Sequence, residues 1–228
     1  MPPELHDPFR LVGFPTVPHR RKFAPTGYTD YKSFNPWLRD EFTFRCVYCA
    51  FREAWFPDGH DSLGVDHLAP KSESPGLECD YDNLYYACNR CNWLKDAARK
   101  SGLTAQIMTQ LDPCRTAFGD RVRAKSDGTF EAVDATDRLA GMLIDVFQLD
   151  VVSSSRADHR RAAFRAAVRH AESVSDPDRR ADFLEKFRYP HNLPNLEDLC
   201  RGGRKALKVA ARSCCYALRV GGALPETY

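Results

Sequence analysis

The chain has 228 residues, 43% hydrophobic and 28% charged, enough for one or two domains with a sizeable core. An apolar run of about 18 residues would be needed for a transmembrane helix, and none occurs, so no membrane partner is expected. The first residues carry Glu4, Asp7 and several prolines where a secretory signal would place an apolar stretch, which predicts a cytoplasmic protein. The net charge is only +2, yet from Arg156 to Arg219 fifteen Lys or Arg face eight Asp or Glu. A basic C-terminal half points to a polyanion partner, against the plainer reading of a solvated basic helical surface.

In chain order, residues 1–27 are rich in proline and lack periodicity, and form an irregular arm that either wraps the domain or stays mobile. From Tyr28 to Phe44, aromatics and leucine fall at helical spacing. Pro36 opens a helix with Asn35 as its N-cap, packing Trp37, Leu38 and Phe42 inward. Leu103 to Pro113 continues as helix or loop. Arg121 to Val133 alternates around Asp127-Gly128 and reads as a hairpin. Asp137 to Leu149 is a helix with an apolar stripe and Thr136 as N-cap, and Ser153 to His170 is a second, arginine-rich helix. A third opens at Asp176-Pro177 and ends at Pro190, and a fourth spans Leu196 to Leu218, with a break at Gly202-Gly203.

The chain has nine cysteines. Cys46 and Cys49, and then Cys88 and Cys91, form two C-x2-C pairs. One such pair is compatible with redox chemistry. Two of them argue for a structural zinc held by four thiolates, the plainer alternative being four buried free thiols. A simple zinc ribbon separates its pairs by roughly 15–20 residues. The interval here is much longer, so the insert has structure of its own and the metal ties its ends. Cys79, Cys114, Cys200, Cys214 and Cys215 lack such pairing, and the last two read as core. His60 reads as a loop residue.

The insert and its exit contain Val65-Asp66-His67-x-x-Pro70-Lys71, then Tyr81-x-Asn83-Leu84, then Cys91-Asn92-x-x-Lys95-Asp96. Singly these are weak signals. In this order, inside a cysteine-bounded insert, they resemble the HNH nuclease family, in the branch with a four-cysteine zinc site. The resemblance covers about 50 residues and implies an α+β fold. Its centre is a ββα-metal HNH core with structural zinc knuckles, flanked by an N-terminal helix and a mainly helical C-terminal region. The expected division is an arm over 1–27, the nuclease core over 28–113, and a hairpin plus basic helices over 114–228.

The resemblance further implies a role for each residue. His67 is the general base that deprotonates water, since imidazole titrates near neutral pH. Asp66 and Asn92 are ligands of a catalytic divalent ion, with Asp96 a third ligand one helical turn on. An all-oxygen set favours magnesium or manganese there, beside the structural zinc. Asn83 braces the loop so that His67 points correctly. Asn92 stands where the family name has its final histidine. Lys71 and Lys95 are expected to contact phosphate.

Residues after the core are similar, more loosely, to an extension of bacterial HNH proteins, some tied to phage defence. Arg161, Arg165 and Arg169 recur at i, i+4, a repulsive spacing that a DNA backbone would offset. The sequence therefore predicts a metal-dependent endonuclease on double-stranded DNA, with a homodimer or a defence-system partner protein as candidate assemblies. A non-catalytic zinc-ribbon DNA-binding module, or a nuclease effector gated by a partner, are the alternatives.

Overall fold

A computed structural model describes residues 13–53, 62–162 and 165. The fold is α+β, with small antiparallel sheets and short helices. A 3-10 turn at Tyr31–Phe34 runs directly into α1 (Asn35–Glu41). Asn35 is therefore the first helical residue rather than the N-cap. The capping role moves to Asp30, whose carboxylate accepts from the Lys32 amide at 3.0 Å. Leu38 and Phe42 are fully buried, as the pattern required, while Trp37 sits at the edge against Phe23.

The centre is β1 (Leu63–His67) and β2 (Leu84–Cys88), antiparallel, with Asp66 opposite Tyr85 and His67 opposite Leu84. β2 is buried throughout because α1 packs on it and α2 (Asn89–Lys100) follows without a break. A short helix α3 (Ala105–Met108) leads to a 3-10 turn that stops at Asp112. β3 (Val122–Ala124) and β4 (Phe130–Ala132) form the expected hairpin. Gly128 takes the left-handed conformation in its turn, and a Cβ there would collide with the Ala157 carbonyl, so the turn and the later helix approach backbone to backbone.

α4 (Arg138–Phe147) buries Ala140, Leu143, Ile144 and Phe147. Its N-cap is Asp137, not Thr136: the Asp137 carboxylate accepts from the amides of Leu139 and Ala140, whereas Thr136 is held by Asp134. The carboxylate is the stronger acceptor for these two amides and also pairs with Arg121 at 2.7 Å. Helical backbone resumes over 155–162 (α5), and the Ser154 hydroxyl accepts from the Ala157 amide. The two helices expected beyond residue 170, and Cys200, Cys214 and Cys215, lie outside the described residues, as does His60.

One buried apolar cluster includes Phe14, Leu38, Tyr85, Leu111, Phe130 and Phe147, so it runs from the N-terminal arm through the two hairpins to α4. The arm wraps that cluster over residues 13–30. Arg21 stacks over the rings of Tyr85, Phe42 and Tyr81 at 4.6–5.0 Å and donates to the Leu84 carbonyl at 2.7 Å. Glu41 receives His19, the Tyr81 hydroxyl and the amides of Lys22 and Phe23. Burial opposes ionisation of that carboxyl, but its donors outweigh burial and hold it below the usual carboxylate range.

Candidate active site

The four cysteines of the two pairs converge. Their sulfurs all lie within 4.8 Å of one another and all four residues are buried. The first knuckle closes through Ala50, a non-glycine residue at φ 54° whose amide returns to the Cys46 carbonyl. The second spans the β2–α2 junction, where the Cys88 sulfur accepts from the Cys91 amide at 3.4 Å. Cys49 and Cys88 are 3.9 Å apart at sulfur. A tetrahedral zinc with Zn–S bonds of about 2.3 Å requires an edge of roughly 3.8 Å, so the donor set fits that ion. Cys79 and Cys114 stand apart from this cluster and are partly exposed.

The clasp anchors the ends of the hairpin and leaves β1 to carry Asp66 and His67. Asp66 is 2% exposed. Its Oδ2 accepts from the Tyr48 hydroxyl at 2.7 Å and from the Lys95 ammonium of α2. Tyr48 lies between the first two cysteines, so the knuckle reaches Asp66 directly. Burial and the Asp66 charge together push the Tyr48 hydroxyl pKa well above its usual value, which keeps it a donor. Burial pushes the Lys95 ammonium down, against the pull of Asp66.

His67 is partly exposed. Its Nε2 lies 3.0 Å from the Glu78 carbonyl oxygen. A carbonyl only accepts, so Nε2 carries the proton and Nδ1 keeps the lone pair of the neutral ring. The Tyr31 ring meets the imidazole edge-on at 4.8 Å, and the Lys71 ammonium sits 4.7 Å over the same Tyr31 ring. Asn83 ties the intervening loop. Its Oδ1 accepts from the Ala69 amide at 2.8 Å, and its Nδ2 donates to the carbonyls of Ala69 and Leu77. Leu77 adjoins Glu78, so this amide fixes the carbonyl that holds His67.

Residues 46–97 match the family model described as HNH endonuclease. The segment is an HNH domain. No curated protein and no solved structure matches the chain.

Within the HNH domain the expected oxygen ligands are placed unequally. Asn92 is exposed on α2, one turn before the buried Lys95, and its side-chain amide has no partner among the described residues. Asp96 is half-exposed and committed to Lys100 at 2.7 Å and Arg99 at 3.8 Å, and the Lys100 hydrogen bond lowers its pKa. Among the described residues, only the cysteines form a group of three or more His, Cys, Asp or Glu close enough to share an ion. Asp96 therefore does not join Asp66 and His67. Of the expected oxygen ligands this leaves Asp66, already engaged by Tyr48 and Lys95, and the exposed Asn92.

Two of the expected phosphate contacts, Lys95 and Arg161, are engaged within the fold. Lys95 is 3% exposed and points inward, because α2 packs on β1 and Asp66 supplies its counter-charge. Arg161 bonds the Asp127 and Val152 carbonyls and pairs with Asp158, so it serves the fold. Arg156 and Arg160, counted in the basic run, are buried. Lys71 and Arg165 are exposed, and Arg169 lies outside the described residues.

The Lys95–Asp66 pair yields an expected result. Breaking a buried pair by removing one partner costs about 3–5 kcal/mol. Lys95→Met should therefore lower the urea unfolding free energy by that order, and the double variant Asp66→Asn/Lys95→Met should recover more than half of it. Equal stabilities for Lys95→Met and wild type would show that the pair carries no weight.

Proposed function

We propose that the chain is a metal-dependent endonuclease that hydrolyses DNA phosphodiester bonds, with His67 as general base. The observation that carries this reading is the fixed tautomer: Nε2 is held by a backbone carbonyl that Asn83 positions, and Nδ1 is left as the base. A water against Nδ1 would lose its proton as it attacks the phosphorus, and His67 would carry that proton as imidazolium. A magnesium or manganese ion, held by Asp66 and Asn92 when bound, supplies charge stabilisation to the phosphate and leaving oxygen. Lys71 and Arg165 are the phosphate contacts in this reading, since both are exposed. A zinc ion in the four-cysteine clasp is its structural partner. A cytoplasmic restriction or phage-defence role, as a homodimer or with a partner protein, belongs to the same proposal and rests only on the resemblance of the region after residue 113.

One observation favours a second reading, a zinc-clasped DNA-binding module without catalysis: Lys95 already neutralises Asp66. The readings separate in one assay with zinc-loaded full chain and supercoiled plasmid. The nuclease reading expects open circles when magnesium or manganese is added and none when no divalent ion is added. Plasmid bound but unbroken with either ion would favour the second reading.

A further inference from the structure

Beyond the HNH domain, Arg156 reaches the cysteine clasp, and Arg160 is buried one helical turn further on. Arg156 donates from Nη1 to the Cys91 sulfur at 3.3 Å and from Nη2 to the Phe147 carbonyl at 2.8 Å. Arg160 is 2% exposed, donates from Nη1 to the Gly128 carbonyl at 2.6 Å, and stacks over Phe130 at 4.8 Å. Its Nε and Nη2 are buried with no hydrogen-bond partner among the described residues. Burying an unpaired guanidinium costs several kcal/mol, so each needs an opposing charge. No carboxylate pairs with either residue among the described ion pairs. A Zn2+ ion with four thiolates carries two net negative charges, whereas four thiols carry none. Two guanidinium groups offset that charge.

We propose that Arg156 and Arg160 are part of the metal site: they neutralise the zinc tetrathiolate, and zinc loading thereby latches α5 onto the HNH domain. The inference rests on zinc filling the clasp. Burial opposes the charge on both arginines; at Arg156 the sulfurs of Cys49, Cys91, Cys88 and Cys46 outweigh it, whereas at Arg160 burial prevails. Both arginines lie on one face of α5, four residues apart. The same helix is held at Gly128, where only glycine admits the Ala157 backbone, so the clasp, the β3–β4 turn and α5 lock together. Losing the metal would leave two buried cations against neutral thiols and would release the segment that begins at residue 155.

The test uses full-length protein, first assayed for zinc and then challenged with excess chelator. Arg156→Met should release zinc at least about tenfold faster than wild type, the usual scale for loss of a partner to a metal ligand. Arg156→Lys, which keeps the charge but loses the forked donor, should fold and fall between them. With cobalt in place of zinc, Arg156→Met should move the thiolate-to-metal charge-transfer band to lower energy, since a sulfur freed of an N–H donor gives up electron density more readily. Release rates and bands identical to wild type in both variants would overturn the latch. Wild type purified without zinc, and unable to take up cobalt, would instead overturn the zinc reading on which it rests.

Discussion

Cys88→Ser is expected to abolish zinc binding and, with it, the cooperative unfolding transition of the protein. Cys88 ends β2, caps α2 and lies 3.9 Å from Cys49 of the first knuckle. Serine can still accept from the Cys91 amide, so the helix cap survives the substitution and lost capping would not explain the effect. What is lost is the thiolate. Binding of a structural zinc contributes about 10–16 kcal/mol in small zinc domains. An entire domain is stable by only about 5–15 kcal/mol. The clasp also buries groups that have no other use. Burial pushes the Cys46 and Cys91 thiols well above their usual pKa, and the Arg156 guanidinium lies beside Cys91. Metal analysis together with urea unfolding followed by circular dichroism checks this. A zinc-free Cys88→Ser with an unchanged midpoint would show that the apolar cluster holds the fold unaided.

Much of this molecule was legible because its signals depend on residue type and spacing alone. Two C-x2-C pairs can share a metal only if the chain between them returns to its start, and antiparallel β1 and β2 do that. Asp127-Gly128 predicts a turn because a backbone with positive φ favours glycine there, and the same glycine is needed again for the approach of Ala157. Asn83 could be named as a brace from the resemblance, although its three partners, at Ala69 and Leu77, are set by how the loop folds.

The rest depended on contacts between distant positions. Lys95 follows Asn92 by three residues, which fixes its face of α2 but not whether that face meets water. The answer lies 29 positions away, at Asp66. The Tyr48 hydroxyl on Asp66 had no signal, since a tyrosine inside a knuckle is equally at home in a core. Tyr31 against His67 comes from outside the HNH segment altogether. A charge count treats every arginine as a surface cation, and so it counted Arg156 and Arg160 toward a polyanion-binding surface. Arg156 instead bonds a sulfur, which carries charge only as a thiolate, and Arg160 bonds the Gly128 carbonyl. The Arg39–Glu53 ion pair and the His19–Glu41 hydrogen bond escaped notice for the same reason: a buried polar group is recognised by its partner, and each partner lies 14 or more residues away.

If the β1 imidazole is the general base, His67→Ala removes its contribution to the rate. A positioned general base contributes about 10²- to 10⁴-fold to proton-transfer steps. His67 lies at the end of β1, partly exposed, and among the described residues its side chain makes one hydrogen bond, to a backbone carbonyl. Its removal should leave the clasp and the apolar cluster standing. The measurement is single-turnover cleavage of an end-labelled DNA duplex by zinc-loaded wild type and His67→Ala, with magnesium or manganese present and with zinc content and duplex affinity determined on the same samples. Cleavage is expected to be slowed by at least about 100-fold in the variant, with zinc content and affinity unchanged. Cleavage by His67→Ala at the wild-type rate would contradict that role and would place the base elsewhere.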